Sequence, residues 1–298
     1  MNFISSDDFS KEQIGHIFKI SDDIKDNKQE ASIREHSTMA LIFEKPSTRT
    51  RLSFAVAMAQ LGGVAIYIDA LTSQLSRGES IADTARVIGG YCDFIAARLY
   101  RHADIVELAS ASPVPVINAL TDLEHPTQAL ADIYTIMQHF DSVKGLKIAF
   151  LGDVASNTAN SLMLTGAKLG AEIALIGPAG YQPNSVYFNR AREYSKVHLY
   201  SSISEGLEDS QIVYTDTFVS MGQEAEADKR KKLFSQYQLN SKALSYASEK
   251  ALVMHCLPAH RGEEITADVI DGTRSIVWEQ AKNKLLINKA IILYLSEM

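Results

Sequence analysis

The chain has 298 residues, of which 46% are hydrophobic and 22% charged, a composition typical of a globular protein. Its 29 Lys and Arg residues against 36 Asp and Glu give a formal net charge of -7, so a nucleic-acid partner is not expected. The polar start, the lack of a long apolar run and only two cysteines predict a cytoplasmic protein with no membrane partner, no disulfide framework and no zinc pattern.

The first half of the chain alternates short apolar runs with helical stretches, which is typical of a parallel sheet. Strands are predicted at residues 38–43, 64–68, 94–99 and 114–118, and helices at residues 47–61 and 80–89. The glycines that follow residue 61 are a stop signal for the first of these helices.

The same alternation restarts after a polar stretch at residues 139–145. Strands are predicted at residues 146–151, 172–177, 198–201, 211–214 and 251–255, followed by a long amphipathic helix at 280–297. The predicted fold is therefore α/β, with two domains, each a parallel sheet flanked by helices, joined by interdomain helices. The expected domains are residues 1–140 and 141–279, with residues 280–298 as a C-terminal helix that packs back on the first domain.

The stretch FEKPSTRTR at residues 43–51 lies where a strand is predicted to end and a helix to begin. Unpaired N–H groups and the helix dipole favour an anion at such a point. Ser47 is expected to cap the helix, while the Thr48 and Thr50 hydroxyls and the Arg49 guanidinium add donors suited to phosphate. An ordinary capped helix with surface arginines has the same pattern. The lack of GxxxxGK[ST] and GxGxxG loops disfavours nucleoside triphosphates and dinucleotides.

Four motifs resemble those of the aspartate/ornithine carbamoyltransferase family. STRTR at 47–51 is similar to the family's carbamoyl-phosphate signature, and HPTQ at 125–128 is similar to its HPxQ element. DTFVSMG at 216–222 and HCLPAHRGEE at 255–264 resemble elements of the ornithine branch. The resemblance runs along the whole chain, with the motifs in the expected order.

This resemblance implies a carbamoyltransferase of arginine biosynthesis with carbamoyl phosphate and L-ornithine as its small-molecule partners. The carbamoyl group would pass to the side-chain amine by direct attack through a tetrahedral intermediate, giving L-citrulline and phosphate. The first domain would bind carbamoyl phosphate and the second ornithine. No metal or organic cofactor is expected. The loop at residues 72–79 occupies the position of one that reaches a neighbouring subunit's active site, which implies a homotrimer with active sites near the subunit interfaces.

The resemblance also assigns residues to these tasks. The residues implied in carbamoyl-phosphate binding are Ser47, Thr48, Arg49, Thr50, Gln74, Arg98, His125, Gln128, Cys256, Leu257 and Lys284. Those implied in ornithine binding are Asn157, Asp216, Ser220 and Met221. Those implied in catalysis are Arg98, His125, Asp216 and Cys256.

Blander interpretations remain for several of these residues. Arg98 fits a surface arginine, Cys256 a small buried apolar residue and Asp216 an Asx turn. An alkylammonium must lose a proton before it attacks, and its acceptor stays open among Asp216, Cys256 and the substrate phosphate.

Rival functions are transfer to aspartate, to putrescine or to an N-acylated ornithine, and a non-catalytic binding protein of the same fold. One departure from the family pattern bears on the last of these. Lys284, in AKNK at 281–284, stands where the family's AENR has an arginine. Because lysine is a point charge and not a planar fork, weaker carbamoyl-phosphate binding is expected.

Overall fold

The computed structural model describes residues 1–27, 31–219 and 224–298. They divide into two compact units. Unit 1 comprises residues 1–127 and 284–298, and unit 2 comprises residues 128–283. The domain boundaries expected after residues 140 and 279 stay predictions.

Unit 1 is built on a parallel sheet. Among its described residues, four strands pair in the order β2-β1-β3-β4. They are β1 (Thr38–Phe43), β2 (Val64–Asp69), β3 (Phe94–Arg98) and β4 (Val116–Leu120). The helices that alternate with them are α1 (Lys11–Lys25), α2 (Thr48–Gln60), α3 (Ile81–Gly89) and α4 (His102–Ala111). Helix α5 (Pro126–Met137) begins in this unit and continues in unit 2.

The buried strands explain why this sheet forms. The residues of β1 from Met39 to Phe43 are at most 1% exposed, as expected for a central parallel strand with helices on both faces. Because parallel strands end at the same edge, Phe43 of β1 lies in register with Asp69 of β2 and Arg98 of β3. The loops that carry the first two family motifs begin at this carboxyl edge.

Unit 2 contains a second parallel sheet. Within the described part of the unit, five strands pair in the order β7-β6-β5-β8-β9. They are β5 (Lys147–Leu151), β6 (Glu172–Ile176), β7 (Val197–Tyr200), β8 (Ile212–Thr215) and β9 (Leu252–His255). The intervening helices are α6 (Asn157–Lys168), α7 (Ser185–Tyr194), α8 (Ile203–Leu207), α9 (Ala227–Phe234), α10 (Ser241–Leu244) and α11 (Ala267–Ile270).

The long helix α12 (Val277–Ser296) belongs to both units, with residues up to 283 in unit 2 and the rest in unit 1. Its last part packs near the start of α1, where the Tyr294 ring meets the ring of Phe9, just before that helix, edge-on with centroids 5.5 Å apart. Gln13 Nε2 also donates to the Tyr294 hydroxyl over 2.9 Å.

The predicted fold class is confirmed, and every predicted strand has a counterpart within two residues of its expected ends. Helix α1 was not among the predicted elements. No helix in the described ranges is long and apolar enough to cross a bilayer.

Candidate active site

The residues predicted to bind phosphate follow β1 in unit 1. Ser47 is the N-cap residue of α2, but its side chain accepts no capping hydrogen bond, so the expected side-chain cap is wrong. Thr48 and Arg49 are exposed in the first turn, and Thr50 is buried there. A helix start whose N–H groups are not capped by Ser47 leaves donors for an anion.

A buried cation lies beside this turn. The ammonium of Lys284, on α12, is 3.3 Å from the Thr50 hydroxyl oxygen and 3.2 Å from Nε2 of His125. An ammonium has donors only, so both atoms accept from it. The Thr50 hydroxyl therefore keeps its own hydrogen for another acceptor.

His125 precedes the first residue of α5 and is buried in unit 1. Burial, followed by the positive charges of Lys284 and Arg98, holds the pKa of its imidazole well below the usual value of 6.5. The ring is therefore neutral at pH 7. Because Nε2 accepts from Lys284, the single ring proton resides on Nδ1.

Arg98 and Gln74 occupy different environments in unit 1. Arg98 ends β3 and is half-buried, with its charge close enough to act on His125. Gln74 begins the 3-10 turn Gln74–Arg77 and is exposed. An exposed position is compatible with the expected role toward a neighbouring subunit, which stays a prediction.

Asp216 and Cys256 meet at the carboxyl edge of the unit 2 sheet. They directly follow β8 and β9, which pair with Thr215 opposite His255. The Cys256 thiol donates to Asp216 Oδ1 over 3.0 Å, and the Thr217 N–H donates to the same oxygen. Both motifs of the ornithine branch thus contribute to one contact. The bond from the N–H of the next residue is not the bond to the second residue on that defines an Asx turn, so it does not support the blander interpretation of Asp216.

The loop after β9 is fixed by an imidazole. His255 Nδ1 accepts from the Leu257 N–H over 2.8 Å, so Nε2 carries the proton and donates to Glu264 Oε1 over 3.1 Å. Leu257 has a φ of 60°, a left-handed conformation that an L side chain rarely adopts. Burial raises the pKa of Glu264, but hydrogen bonds from His255 and His260 outweigh it and lower the pKa overall.

Gln128 is buried at the start of α5 in unit 2 and donates through Nε2 to Asp132 Oδ1 over 2.7 Å. Asp132 also accepts from Gln280 Nε2 over 2.7 Å and from the Tyr214 hydroxyl over 3.1 Å. Sequence reasoning did not single out these three partners. The spacing of Gln128 and Asp132, four residues apart on a helix, was a signal for the first pair. Tyr214 and Gln280 are too distant in sequence to give one.

The structure describes only one of the two remaining parts of the predicted ornithine site. Asn157 is the first residue of α6, where its side-chain oxygen accepts from the Thr158 N–H over 2.8 Å. Ser220 and Met221 lie outside the described residues.

Among the residues that the structure describes, two groups of side chains have the composition of a metal site. Asp216, His255 and Cys256 carry ligand atoms within 4.8 Å of one another, as do His260, Glu263 and Glu264. In the first group both ring nitrogens of His255 are already in hydrogen bonds, so the imidazole would have to break one to become a ligand. This group therefore fits a hydrogen-bonded loop better than a preformed metal site.

Comparison with known proteins assigns the two halves of the chain to one family. Residues 1–138 match the model of the aspartate/ornithine carbamoyltransferase carbamoyl-P binding domain, and residues 144–295 match that of the Asp/Orn binding domain. The anabolic ornithine carbamoyltransferase of Pyrococcus furiosus is 48% identical over 263 residues, covering 87% of this chain and 83% of that protein. The ornithine carbamoyltransferase of Bacillus subtilis is 44% identical over 290 residues, covering 96% and 90%.

Solved structures agree with these matches. The ornithine carbamoyltransferase of Pyrococcus furiosus superposes with a TM-score of 0.92 at 44% identity, covering 98% of this chain and 95% of that one. The anabolic ornithine carbamoyltransferase of Campylobacter jejuni gives a TM-score of 0.93 at 37% identity, covering 99% of each. The chain belongs to the aspartate/ornithine carbamoyltransferase family.

Proposed function

We propose that the chain is an ornithine carbamoyltransferase, which transfers the carbamoyl group of carbamoyl phosphate to the side-chain amine of L-ornithine. The products are L-citrulline and phosphate. The observation that carries this proposal is the contact of Asp216 with Cys256, because it joins the two motifs of the ornithine branch at one edge of the sheet. The anabolic relative in Pyrococcus furiosus supports a role in arginine biosynthesis.

The phosphate of carbamoyl phosphate binds at the start of α2. Ser47, Thr48, Arg49 and Thr50 supply hydroxyl, guanidinium and backbone donors there. Phosphate is the leaving group of the reaction, so donors that neutralise its charge lower the barrier to its departure.

The carbonyl oxygen of carbamoyl phosphate is polarised by a hydroxyl donor and by nearby positive charges. Thr50 has a hydroxyl hydrogen to give, and Arg98 and Lys284 place positive charge around His125. A tetrahedral intermediate carries a negative oxygen, so these charges stabilise the transition state more than the ground state. Neutral His125 adds a hydrogen-bond donor without a third cation.

The carbamoyl NH2 is recognised in unit 2 by acceptors. Gln128 supplies its side-chain oxygen, and Cys256 and Leu257 supply backbone carbonyls. The bonds of His255 to Leu257 and Glu264 hold that loop in shape. A preorganised set of acceptors distinguishes an amide from groups that lack N–H.

Ornithine is held in unit 2 by groups that include Asn157 and Asp216, with Ser220 and Met221 at its amino-acid end. The Asp216 carboxylate suits a cationic amino group. Cys256 donates to this carboxylate and so lies where the attacking nitrogen arrives. Deprotonation of that nitrogen uses Asp216, Cys256 or the substrate phosphate.

The assembly proposed is a homotrimer with active sites near the subunit interfaces. It is supported by the edge strand β2, where Val64 is 56% and Ile66 49% exposed, and by the exposed Leu52 of α2 and Leu71 just after β2. An exposed apolar edge of this kind is typical of an interface. Light scattering on the purified chain should give three times the monomer mass, and Ile66→Lys should lower it. A monomeric wild type would contradict the trimer. The cytoplasmic location stays a prediction.

The activity is tested by measuring citrulline formed from carbamoyl phosphate and L-ornithine, with putrescine and L-aspartate in parallel. Turnover with ornithine alone is the expected result. Turnover with putrescine would reassign Asn157 and the SMG motif at residues 220–222. No turnover with any amine, despite binding of carbamoyl phosphate, would favour the non-catalytic alternative.

A further inference from the structure

Asp132 is a buried carboxylate to which the proposed chemistry assigns no task. It is 0% exposed on α5, one helical turn after Gln128. One of its oxygens accepts from two amide nitrogens, those of Gln128 and Gln280, each at 2.7 Å. The other accepts from the Tyr214 hydroxyl at 3.1 Å.

These bonds determine how the Gln128 amide is turned. Nε2 of Gln128 donates to Asp132 Oδ1, so the NH2 end of the Gln128 side chain faces Asp132. The amide oxygen is then directed to the other side. Without the carboxylate, the amide could turn by 180° and present NH2 where it now presents oxygen.

The other members of the network have their orientations fixed in the same way. Gln280 Oε1 accepts from the His255 N–H over 2.9 Å, which leaves its NH2 end for Asp132 and for the Tyr214 hydroxyl at 3.1 Å. The burial of Tyr214, followed by the charge of Asp132, raises the pKa of its phenol well above 10.0, so it remains a donor. The amide nitrogens of Gln128 and Gln280 and the Tyr214 hydroxyl therefore all donate to Asp132.

We propose that Asp132 is a positioning residue that holds the Gln128 amide oxygen toward the carbamoyl NH2 and thereby makes the protein select a carbamoyl over an acetyl group. This inference rests on the proposed function, because it takes Gln128 as the acceptor for the carbamoyl group. A carbonyl substituent that bears NH2 then gains a hydrogen bond to the Gln128 oxygen, whereas one that bears CH3 has no N–H to donate.

Two stable phosphonates isolate this contact. Phosphonoacetamide carries NH2 on its carbonyl, and acetonylphosphonate carries CH3 in its place. The selectivity is the ratio of their dissociation constants, measured by calorimetry, and it requires no turnover. In the wild type the amide should bind at least about tenfold more tightly. Asp132→Ala should bring the ratio to within about threefold of unity, since the Gln128 amide is no longer oriented.

A matched control lies about one turn further along the same two helices. Asn283 of α12 donates to the Thr135 hydroxyl oxygen over 3.0 Å and to Gln138 Oε1 over 2.7 Å. Asn283→Ala removes buried hydrogen bonds of similar number and should leave the ratio as in the wild type. If Asp132 had only a structural role, Asp132→Ala and Asn283→Ala would change the ratio of dissociation constants to the same extent.

A double-variant cycle tests whether Asp132 acts through Gln128. Gln128→Ala alone should abolish the selectivity, and adding Asp132→Ala should not change the ratio further. If selectivity survived Gln128→Ala and was lost only when Asp132→Ala was added, the inference would be overturned.

A crystal structure of the unaltered protein with phosphonoacetamide does not depend on how the variants fold. Gln128 Nε2 should remain on Asp132, with Gln128 Oε1 within hydrogen-bond distance of the ligand nitrogen. A Gln128 that has left Asp132 would overturn the inference. A wild type that makes no citrulline would overturn the proposed function as well, whereas an active wild type whose ratio survives Asp132→Ala would overturn the inference alone.

Discussion

The ammonium of Lys284 lies 3.2 Å from Nε2 of His125, both buried in unit 1. The imidazole accepts this hydrogen bond, so the two groups form a cationic pair that carries one positive charge. In the proposed reaction this charge faces the carbamoyl group, in the position where the family pattern has an arginine.

Lys284→Arg should lower the KM for carbamoyl phosphate by about threefold or more, because a guanidinium fork can bind two oxygens where an ammonium binds as a point charge. Initial rates at saturating ornithine measure this. Lys282→Arg is the matched control, since Lys282 lies on the same helix but is exposed. An unchanged or higher KM in Lys284→Arg would count against the role assigned to this position.

Acid should destabilise the protein in part through His125. Its folded pKa lies well below the value of 6.5, so below about pH 6.5 the unfolded chain takes up a proton there and the native chain does not. This share of the stability is fully present above pH 6.5 and is lost as the pH falls toward the folded pKa.

The measurement is the free energy of unfolding in urea at several pH values. His125→Asn should flatten the decrease below pH 6.5 relative to the wild type. His198→Asn, at an exposed position on β7, is the control and should keep the wild-type slope. Equal slopes in wild type and His125→Asn would contradict a neutral buried imidazole.

Asp216→Asn should reduce kcat/KM for ornithine by about tenfold to a hundredfold, because a neutral amide attracts the cationic substrate less than a carboxylate does. The KM for carbamoyl phosphate should change little. Asp271→Asn, which removes an exposed partner of Arg261, serves as the comparison. If both variants lost the same activity, the charge of Asp216 would have no specific part in ornithine binding.

Arg230→Met should lower the free energy of unfolding of the chain by about 3 to 5 kcal/mol. Arg230 pairs with Asp153 with both side chains at most 4% exposed, and it also donates to the Phe218 carbonyl over 2.8 Å. Burial raises the pKa of Asp153, and the Arg230 charge opposes that rise. Removing the guanidinium takes away the positive charge that offsets the burial of the Asp153 carboxyl group.

Urea unfolding of Arg230→Met, Arg230→Met/Asp153→Asn and Arg190→Met checks this. The double variant should recover part of the loss, and Arg190→Met, in an exposed pair with Glu193, should change stability little. A single variant as stable as the wild type would show that the buried pair contributes nothing.

Much of the fold could be predicted because most of its strands are buried on both faces. A strand such as β1 is a continuous apolar run, which marks it in the sequence without reference to its neighbours. Helix α1 was predictable too, since Ser10 and Gln13 form the S-x-x-Q capping box that starts it. The failure of Ser47 to cap α2 was not, because a capping side chain and a ligand-binding side chain have the same sequence signature.

The candidate site, like the fold, could be predicted only in part. Asp216 and Cys256 were found through motifs, and their contact follows from the adjacency of β8 and β9. The bonds of Asp132 to Tyr214 and Gln280 join residues 82 and 148 positions apart. Such pairings depend on how helices pack on a sheet, which no local pattern encodes.

Unit 1 is formed by two separate segments of the chain, residues 1–127 and 284–298, and this affects the order of folding during synthesis. Residues 284–298 leave the ribosome only after all of unit 2, yet Tyr294 contacts Phe9 and Gln13 near the start of the chain. A nascent chain can therefore complete unit 2 while unit 1 still lacks its last helical segment. The unit that is synthesised first is the one that is finished last.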